Sequence, residues 1–472
     1  MKPQIKLLKL CTGHYFYDVG RNQIVKVSEQ EYNEMLILRK IGFEEYNKML
    51  SANNQKSILD KYVNKGFLSA KKPDRIIHPY TYIVEDVLSS QLHTAILQIT
   101  QMCNLRCRYC PYSGNGYLDR KHINKSMSFE TAKKVIDFIL LNGRQEDYIN
   151  IGFYGGEPTI KLGLIKEIVE YTKKNAEGKD LYFFMTTNAT LIDRDAISFL
   201  AANDFSITIS LDGPQNIHDK NRRKVVNGNG SFNDVYSTLN IIANEFPNLI
   251  NKVGINAVWD MEESYNDVVT YFKTDPVLSQ FDYSISPVDN FIIDTKFSMV
   301  NSNYYEQQIN QFFSMLGESG IINIPDSHHD TSTLKLFDDF KDSLYPQKEV
   351  PDECHPGGMC IPGYSRLFVD ADGNFFPCEK VSENSKMALI GNVYDGFNYK
   401  QIRRIMNIGT LNADDCKQCW CRQFCTCCFK FVDDMDELSL AKKRNECKQI
   451  IKSTLKIMKE YILLKEAKKS II

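Results

Sequence analysis

The chain has 472 residues and a formal net charge of -2, and its 43% apolar and 25% charged side chains give the balance of a globular protein of two to four ordinary domains. That balance supplies no global basic field for nucleic acid or an anionic membrane, and no apolar run reaches the roughly 18 residues that span a bilayer. The first ten residues alternate lysine with apolar side chains and lack the core of a signal peptide, so the expectation is a cytoplasmic protein with neither nucleic-acid nor membrane partners.

Short β-like runs at Ile5 to Leu10, Tyr15 to Val19 and Gln23 to Val27 are separated by turn signals and read as a small meander. Ser28 and Glu31 form a capping-box pattern opening a helix through about Met49, and Gln55 to Lys65 predicts a second helix closed by Gly66. This unit occupies residues 1–75, with a linker at 76–92. From Thr94 the pattern becomes apolar strand runs alternating with amphipathic helices. Strands are predicted at Ala95 to Thr100, Tyr148 to Tyr154, Leu181 to Thr187, Phe205 to Leu211, Lys252 to Val258 and Phe281 to Ser286. Six βα units over 93–300 predict an α/β fold with a partial (β/α)6 barrel, an open doubly wound sheet being the competitor; both place ligands at the carboxyl ends of the strands. Residues 301–350 form a bridging region with a helix at Ser302 to Leu316, and 351–450 a cysteine-rich domain with a hairpin centred on Asp370-Ala371-Asp372-Gly373-Asn374. A charged amphipathic helix runs from about Asp436 to Lys468, with 451–472 assigned to a C-terminal helix.

Fourteen cysteines are well below the roughly 8–10% of a disulfide scaffold, yet all except Cys11 fall in two clusters, a distribution that points to metal. Cys103, Cys107 and Cys110 follow the first barrel strand with three and then two residues between them. Three thiolates leave one iron of a [4Fe-4S] cluster open for an exogenous chelate. No histidine within the motif offers a fourth ligand for zinc, which would remain the alternative. These residues resemble the radical S-adenosylmethionine (SAM) family, in which the open iron takes the amino and carboxylate groups of SAM. The resemblance extends to Gly155-Gly156-Glu157-Pro158, which matches the motif for the SAM amino group, with glycines allowing close approach and Glu157 accepting from the ammonium. It also implies SAM-pocket roles for Tyr109 near the adenine, for Thr187 and Asn188 after the third strand, and for Ser210 and Arg222 after the fourth. Arg222 and its neighbour Arg223 are not distinguishable by sequence, and His218-Asp219 is as well explained by loop hydrogen bonding.

The second cluster contains Cys354, Cys360, Cys378, Cys416, Cys419, Cys421, Cys425, Cys427, Cys428 and Cys447. It resembles the SPASM extension of peptide-modifying radical SAM enzymes, which holds two auxiliary [4Fe-4S] clusters, giving three in all. By position the first would use Cys354, Cys360, Cys378 and a cysteine after Cys425; the second would use Cys416, Cys419, Cys425 and Cys447. The family usually has three residues between Cys425 and the next ligand, but Phe429 stands there, so Cys428 is favoured, Cys427 and Cys421 are spares, and an open iron is conceivable. Zinc knuckles are the alternative here too. Glu379, immediately after Cys378, matches the position of an acidic base in sulfatase-maturing relatives.

The N-terminal unit resembles the winged-helix recognition domain of maturases for ribosomally made peptides, which adds a leader peptide as a strand beside the third strand, here Gln23 to Val27. The resemblance implies a precursor-peptide partner, an electron donor such as flavodoxin or ferredoxin, and formation of a thioether from a cysteine sulfur to a carbon. Carbon-carbon crosslinking, formylglycine formation on a sulfatase, and a non-enzymatic zinc-knuckle peptide binder are the competing expectations.

Overall fold

In the computed structural model, which describes residues 1–112, 116–176, 178–289, 302–323, 331–356 and 360–471, the chain opens with three antiparallel strands in spatial order: β1 (Ile5–Leu10), β2 (Gly13–Asp18) and β3 (Gln23–Val27). Ser28 caps α1 (Glu29–Ile41): its hydroxyl accepts from the Glu31 amide while the Glu31 carboxylate accepts from the Ser28 amide at 2.7 Å. The single helix expected through Met49 is instead broken at Gly42, where φ is 85° and an added Cβ would stand 2.9 Å from the Met1 carbonyl oxygen; α2 (Phe43–Ala52) starts afresh. The helix expected at 55–65 shrinks to one turn, Asp60–Val63, because Asn54 takes φ 52° and the Ser57 hydroxyl captures the Leu59 amide.

The period of two along β2 divides its side chains between two cores. Phe16 packs with Met35, Leu38 and Leu50 inside the N-terminal unit, whereas Tyr15 and Tyr17 join the main core. Tyr17 lies 5.3 Å, ring to ring, from Phe424, and Asn22 Nδ2 donates to the Ser343 and Tyr345 carbonyls. The N-terminal sheet therefore leans on the C-terminal region.

Six strands follow, β4 (Thr94–Thr100), β5 (Tyr148–Gly155), β6 (Asp180–Thr187), β7 (Ser206–Ser210), β8 (Val253–Trp259) and β9 (Asp282–Pro287), parallel and adjacent in chain order. They alternate with α3 (Phe129–Asn142), α4 (Leu162–Asn175), α5 (Arg194–Ala202), α6 (Phe232–Glu245) and α7 (Tyr265–Thr274). Ser128, Asp193 and Ser264 cap α3, α5 and α7 by accepting from the third helical amide. Every residue of β4 is buried, as expected of a parallel strand covered on both faces. This is the α/β arrangement the sequence predicts, and each strand lies within a residue or two of its expected bounds.

Of the bridging region, α8 (Ser302–Glu318) and α9 (Thr331–Ser343) are described; the call on 301 and 324–330 lies outside the described residues. The expected hairpin forms as β10 (Leu367–Val369) and β11 (Asn374–Phe376), turning at Gly373 with φ 90°. β10 pairs in parallel with β4, Leu367 opposite Ala95, so the cysteine-rich region extends the barrel sheet. A strand at Arg75–Ile76, across the expected boundary between the 1–75 unit and the linker, pairs with Glu353–Cys354. Finally α10 (Leu440–Ile471) runs unbroken through the expected boundary at 450, which places Cys447 within a helix. No helix among the described residues is long and apolar enough to cross a membrane.

Candidate active site and cysteine centres

The parallel order brings the carboxyl ends of β4 to β8 to one edge, and the Cys103 loop leaves β4 there. Cys107 ends a short strand, Leu105–Cys107, that pairs antiparallel with Arg222–Lys224, setting Arg222 opposite Cys107 across 115 residues of sequence. Cys103 Sγ accepts from the Leu105 amide at 3.4 Å and from Asn188 Nδ2 at 3.8 Å; Cys110 Sγ accepts from the Tyr112 amide at 3.4 Å; Arg222 Nη1 donates to Cys107 Sγ at 3.9 Å. Burial pushes the Cys103 and Cys110 thiols up to about 12, with Cys107 adding to both, and burial together with Asp212 raises Cys107 too. Such thiols give up protons to a metal, so ligation here is coupled to proton release. Backbone amides, an amide side chain and a guanidinium directed at three gathered thiols are the surroundings that suit an iron-sulfur cluster.

Gly155 and Gly156 fit their motif for a specific reason. An added Cβ would stand 2.1 Å from the Thr100 carbonyl oxygen at Gly155, and 2.1 Å from that of Met102 at Gly156. The close approach is thus to the cysteine loop, sealed by the Gly156 amide donating to Thr100 and the Glu157 amide to Met102. Glu157, 1% exposed, is held within the fold: Oε1 accepts from Thr187 Oγ1 at 2.7 Å and from Thr159 Oγ1 at 2.6 Å, and Oε2 accepts from the Asn188 amide at 2.7 Å. It stitches β5 to β6, and burial raises its pKa. Thr187 and Asn188 are brought to the site through this carboxylate, and Asn188 reaches Cys103. Ser210 ends β7 half-buried, with its backbone registered against Asn256.

Asp212, which sequence reasoning left unassigned, is the hub of the pocket. It is 1% exposed, accepts from Arg222 Nε and Nη2 at 3.0 Å each, from the Tyr109 hydroxyl, and from the Val258 amide at 3.0 Å. The Arg222 guanidinium also lies 5.3 Å from the Tyr109 ring centre. Arg223 points outward to the Gly228 carbonyl, so tertiary pairing separates the two arginines. His218 Nδ1 accepts from the Asp212 amide and its Nε2 meets Ser231 Oγ; burial lowers its pKa to about 4, so it is a neutral strut. Asp219 likewise caps the loop by accepting from the Phe232 amide.

The second cysteine cluster divides in two. Cys416, Cys419, Cys425 and Cys447 line one cavity of about 440 Å³. Beside it the buried Lys443 Nζ donates to Cys416 Sγ at 3.7 Å, to the Gly409 carbonyl and to Asn412 Oδ1. Cys360, Cys378 and Cys428 act electrostatically on one another. Cys427 instead faces Cys425 and Cys447 and is 3% exposed, and Cys421 is 1% exposed. Cys354 has Arg422 as its charged neighbour and is held by the strand pair with Arg75–Ile76. Among the described residues no group of three or more His, Cys, Asp or Glu converges tightly enough for one metal ion; the cavity-lining cysteines ring a wider space.

Glu379 is 6% exposed and gripped by Arg366, whose Nε donates to Oε2 at 3.0 Å and whose Nη2 bonds Oε1. A base at this position would first have to release that guanidinium. Around it lies a buried polar gallery that the motifs did not signal. Tyr154 is electrostatically coupled to both Cys110 and Glu379, Arg120 pairs with Glu383 at 2.6 Å and donates to the Glu379 carbonyl at 2.9 Å, and Gln98 Nε2 donates to the Tyr112 hydroxyl and Glu383. The gallery thus joins the Cys110 side of the first cysteine loop to Glu379, the neighbour of Cys378 in sequence. Its one available sequence signal is position: Tyr112 stands two residues after Cys110, and Tyr154 directly precedes Gly155.

Residues 97–268 match the model of the Radical SAM superfamily. A cysteine-type anaerobic sulfatase-maturating enzyme of Clostridium novyi (strain NT) is 27% identical over 339 residues, covering 68% of this chain and 84% of the relative. The radical SAM cyclopropyl synthase TigE of Paramaledivibacter caminithermalis is 24% identical over 260 residues, covering 52% of each. Among solved structures, native anSMEcpe with bound AdoMet and Cp18Cys peptide superposes with a TM-score of 0.56 at 20% identity, over 80% of this chain and 99% of that one.

Proposed function

We propose that this chain, whose residues 97–268 match the Radical SAM superfamily, is a radical SAM maturase that joins a cysteine sulfur to a carbon of a ribosomally made precursor peptide as a thioether. The observation carrying this reading is the buried polar network of tyrosine, glutamine and paired charges in which Tyr154 interacts with both Cys110 and Glu379, the residue that follows Cys378. A relative that is a sulfatase-maturating enzyme and a similar solved structure with a bound peptide support a peptide substrate class.

In this reading Cys103, Cys107 and Cys110 hold the catalytic [4Fe-4S] cluster. Tyr109, Ser210 and Arg222 would hold SAM, with Glu157 keeping Thr187 and Asn188 in place. When bound, cluster and SAM together supply a 5′-deoxyadenosyl radical able to take hydrogen from an unactivated carbon. The chain's own residues position and exclude water: Asp212 fixes the Tyr109 ring and the Arg222 head in one orientation, and the glycine pair closes the backbone over the cysteine loop. Cys360, Cys378 and Cys428, with Cys354 recruited from its strand, hold the first auxiliary cluster, and Cys416, Cys419, Cys425 and Cys447 the second. Residues 1–75 capture the leader beside β3, whose strand partner among the described residues is β2 alone.

The assignment of Cys428 predicts that Cys428→Ala lowers reconstituted iron by about four from about twelve per chain, while Cys427→Ala leaves it unchanged; iron analysis with EPR decides, and equal losses would overturn the choice. The function itself is tested by incubating enzyme, reductant and SAM with a short Cys-containing candidate precursor peptide. A product two hydrogens lighter with one fewer alkylatable thiol is expected. An unchanged peptide mass alongside 5′-deoxyadenosine counts against the proposal. The second reading, favoured by the extent of the match to the Clostridium novyi relative, is formylglycine formation, which would instead yield an aldehyde trapped by hydrazide.

A further inference from the structure

Each of the three cysteine groups has a cation beside it, and at two of them a carboxylate cancels that cation: Asp212 holds Arg222 at 3.0 Å near Cys107, and Glu379 holds Arg366 at 3.0 Å near Cys378. The group of Cys416, Cys419, Cys425 and Cys447 is different. Lys443, on α10, is 2% exposed and donates to the Gly409 carbonyl, to Asn412 Oδ1 and to Cys416 Sγ at 3.7 Å. Arg422, 7% exposed, lines the cavity of these cysteines and donates to the Cys416 and Lys417 carbonyls at 3.4 and 3.2 Å. Neither cation has a carboxylate partner among the described residues. The nearby acids are answered by other cations: Asp415 pairs with Arg444 at 3.2 Å, and Glu446, which acts on Cys427, is itself acted on by Lys430.

A buried cation without a counter-charge is costly, so two of them beside one cavity point to an anion that belongs there. Four thiolates around a [4Fe-4S] core carry two net negative charges, and one added electron makes three; surrounding charge and hydrogen bonds to the sulfurs set how readily that electron is taken. Lys443 favours negative charge on Cys416 and Cys427, and Arg422 favours it on Cys419. We propose that Lys443 and Arg422 are the counter-charges of the second auxiliary cluster and raise its reduction potential, an effect that the other two centres lack because their cations are already neutralised. The proposal rests on the second-cluster reading above. The equilibrium is a one-electron reduction, supplied in the test by dithionite: the cluster gains the electron, dithionite loses it, and no bond or proton moves at the cluster.

The test is a mediated dithionite titration of the fully reconstituted enzyme followed by EPR, the second-cluster signal being the one that Cys447→Ala removes. Lys443→Met keeps the length of the side chain and deletes its charge. It is expected to lower the reduced-to-oxidised ratio of that signal at a fixed potential by about tenfold, a midpoint shift of about 59 mV for one electron, while Lys443→Arg stays near the wild type. The other two midpoints and an iron content of about twelve per chain should not move. An unchanged second midpoint in Lys443→Met overturns the proposal, as does an equal fall in Lys443→Arg, which would make Lys443 a brace for the Ile408–Asn412 turn. Should Lys443→Met lose iron, Arg422→Gln and Arg422→Lys are read against the same two outcomes. An iron count of about eight in the wild type, with Cys447→Ala removing none, would sink the second-cluster reading instead.

Discussion

Replacing Cys103, Cys107 and Cys110 together by alanine is expected to abolish SAM cleavage while leaving about eight of about twelve irons per chain. The three thiols sit on one loop whose backbone is clamped by Gly155 and Gly156, and whose sulfurs accept from Leu105, Tyr112, Asn188 and Arg222. No other cysteine shares this loop, so a lost ligand has no substitute. The auxiliary cysteines belong to separate elements, from the Glu353–Cys354 strand to α10, and should keep their iron. Anaerobic reconstitution, iron analysis and chromatographic assay of 5′-deoxyadenosine check both halves, and retained cleavage would sink the assignment of the catalytic centre.

The second large effect is expected at Asp212. Asp212→Asn removes the charge from a carboxylate 1% exposed that holds a guanidinium 6% exposed, leaving Arg222 buried and uncompensated. Breaking one side of a buried pair costs about 3–5 kcal/mol, whereas removing both sides together costs less. Asp212→Asn should therefore lower stability in chemical denaturation by about that amount, and the Asp212→Leu, Arg222→Met double variant should lose less than the sum of its single changes. SAM affinity should fall in Asp212→Asn as well, because Tyr109 and Arg222 lose their common anchor. A stability change below about 1 kcal/mol with SAM affinity intact would show that the network does not organise the pocket.

Local chemistry carried much of this into the sequence. Largely apolar runs such as 95–100, separated by capped amphipathic helices, fit parallel strands with crossovers, and the strands fell where expected. The misplacements came where one backbone position overrode a periodic pattern: Gly42 at positive φ split a helix, and Ser57 diverted another. Glu157 shows what motif reading leaves out, because its carboxylate also binds Thr159, Thr187 and Asn188 and so organises the strand ends around it.

By itself, then, the sequence determined the α/β order, the three-thiol loop at the end of the first barrel strand and the presence of a second cysteine-rich region, since spacing along the chain fixes each of these. Only the tertiary structure decided that Arg222 rather than Arg223 faces Cys107, that Asp212 binds it, and that Cys428 rather than Cys427 lies with Cys360 and Cys378. The reason is geometric. Adjacent residues in an extended or turning segment point in opposite directions, and which of the two faces inward is set by strand pairing with residues more than a hundred positions away.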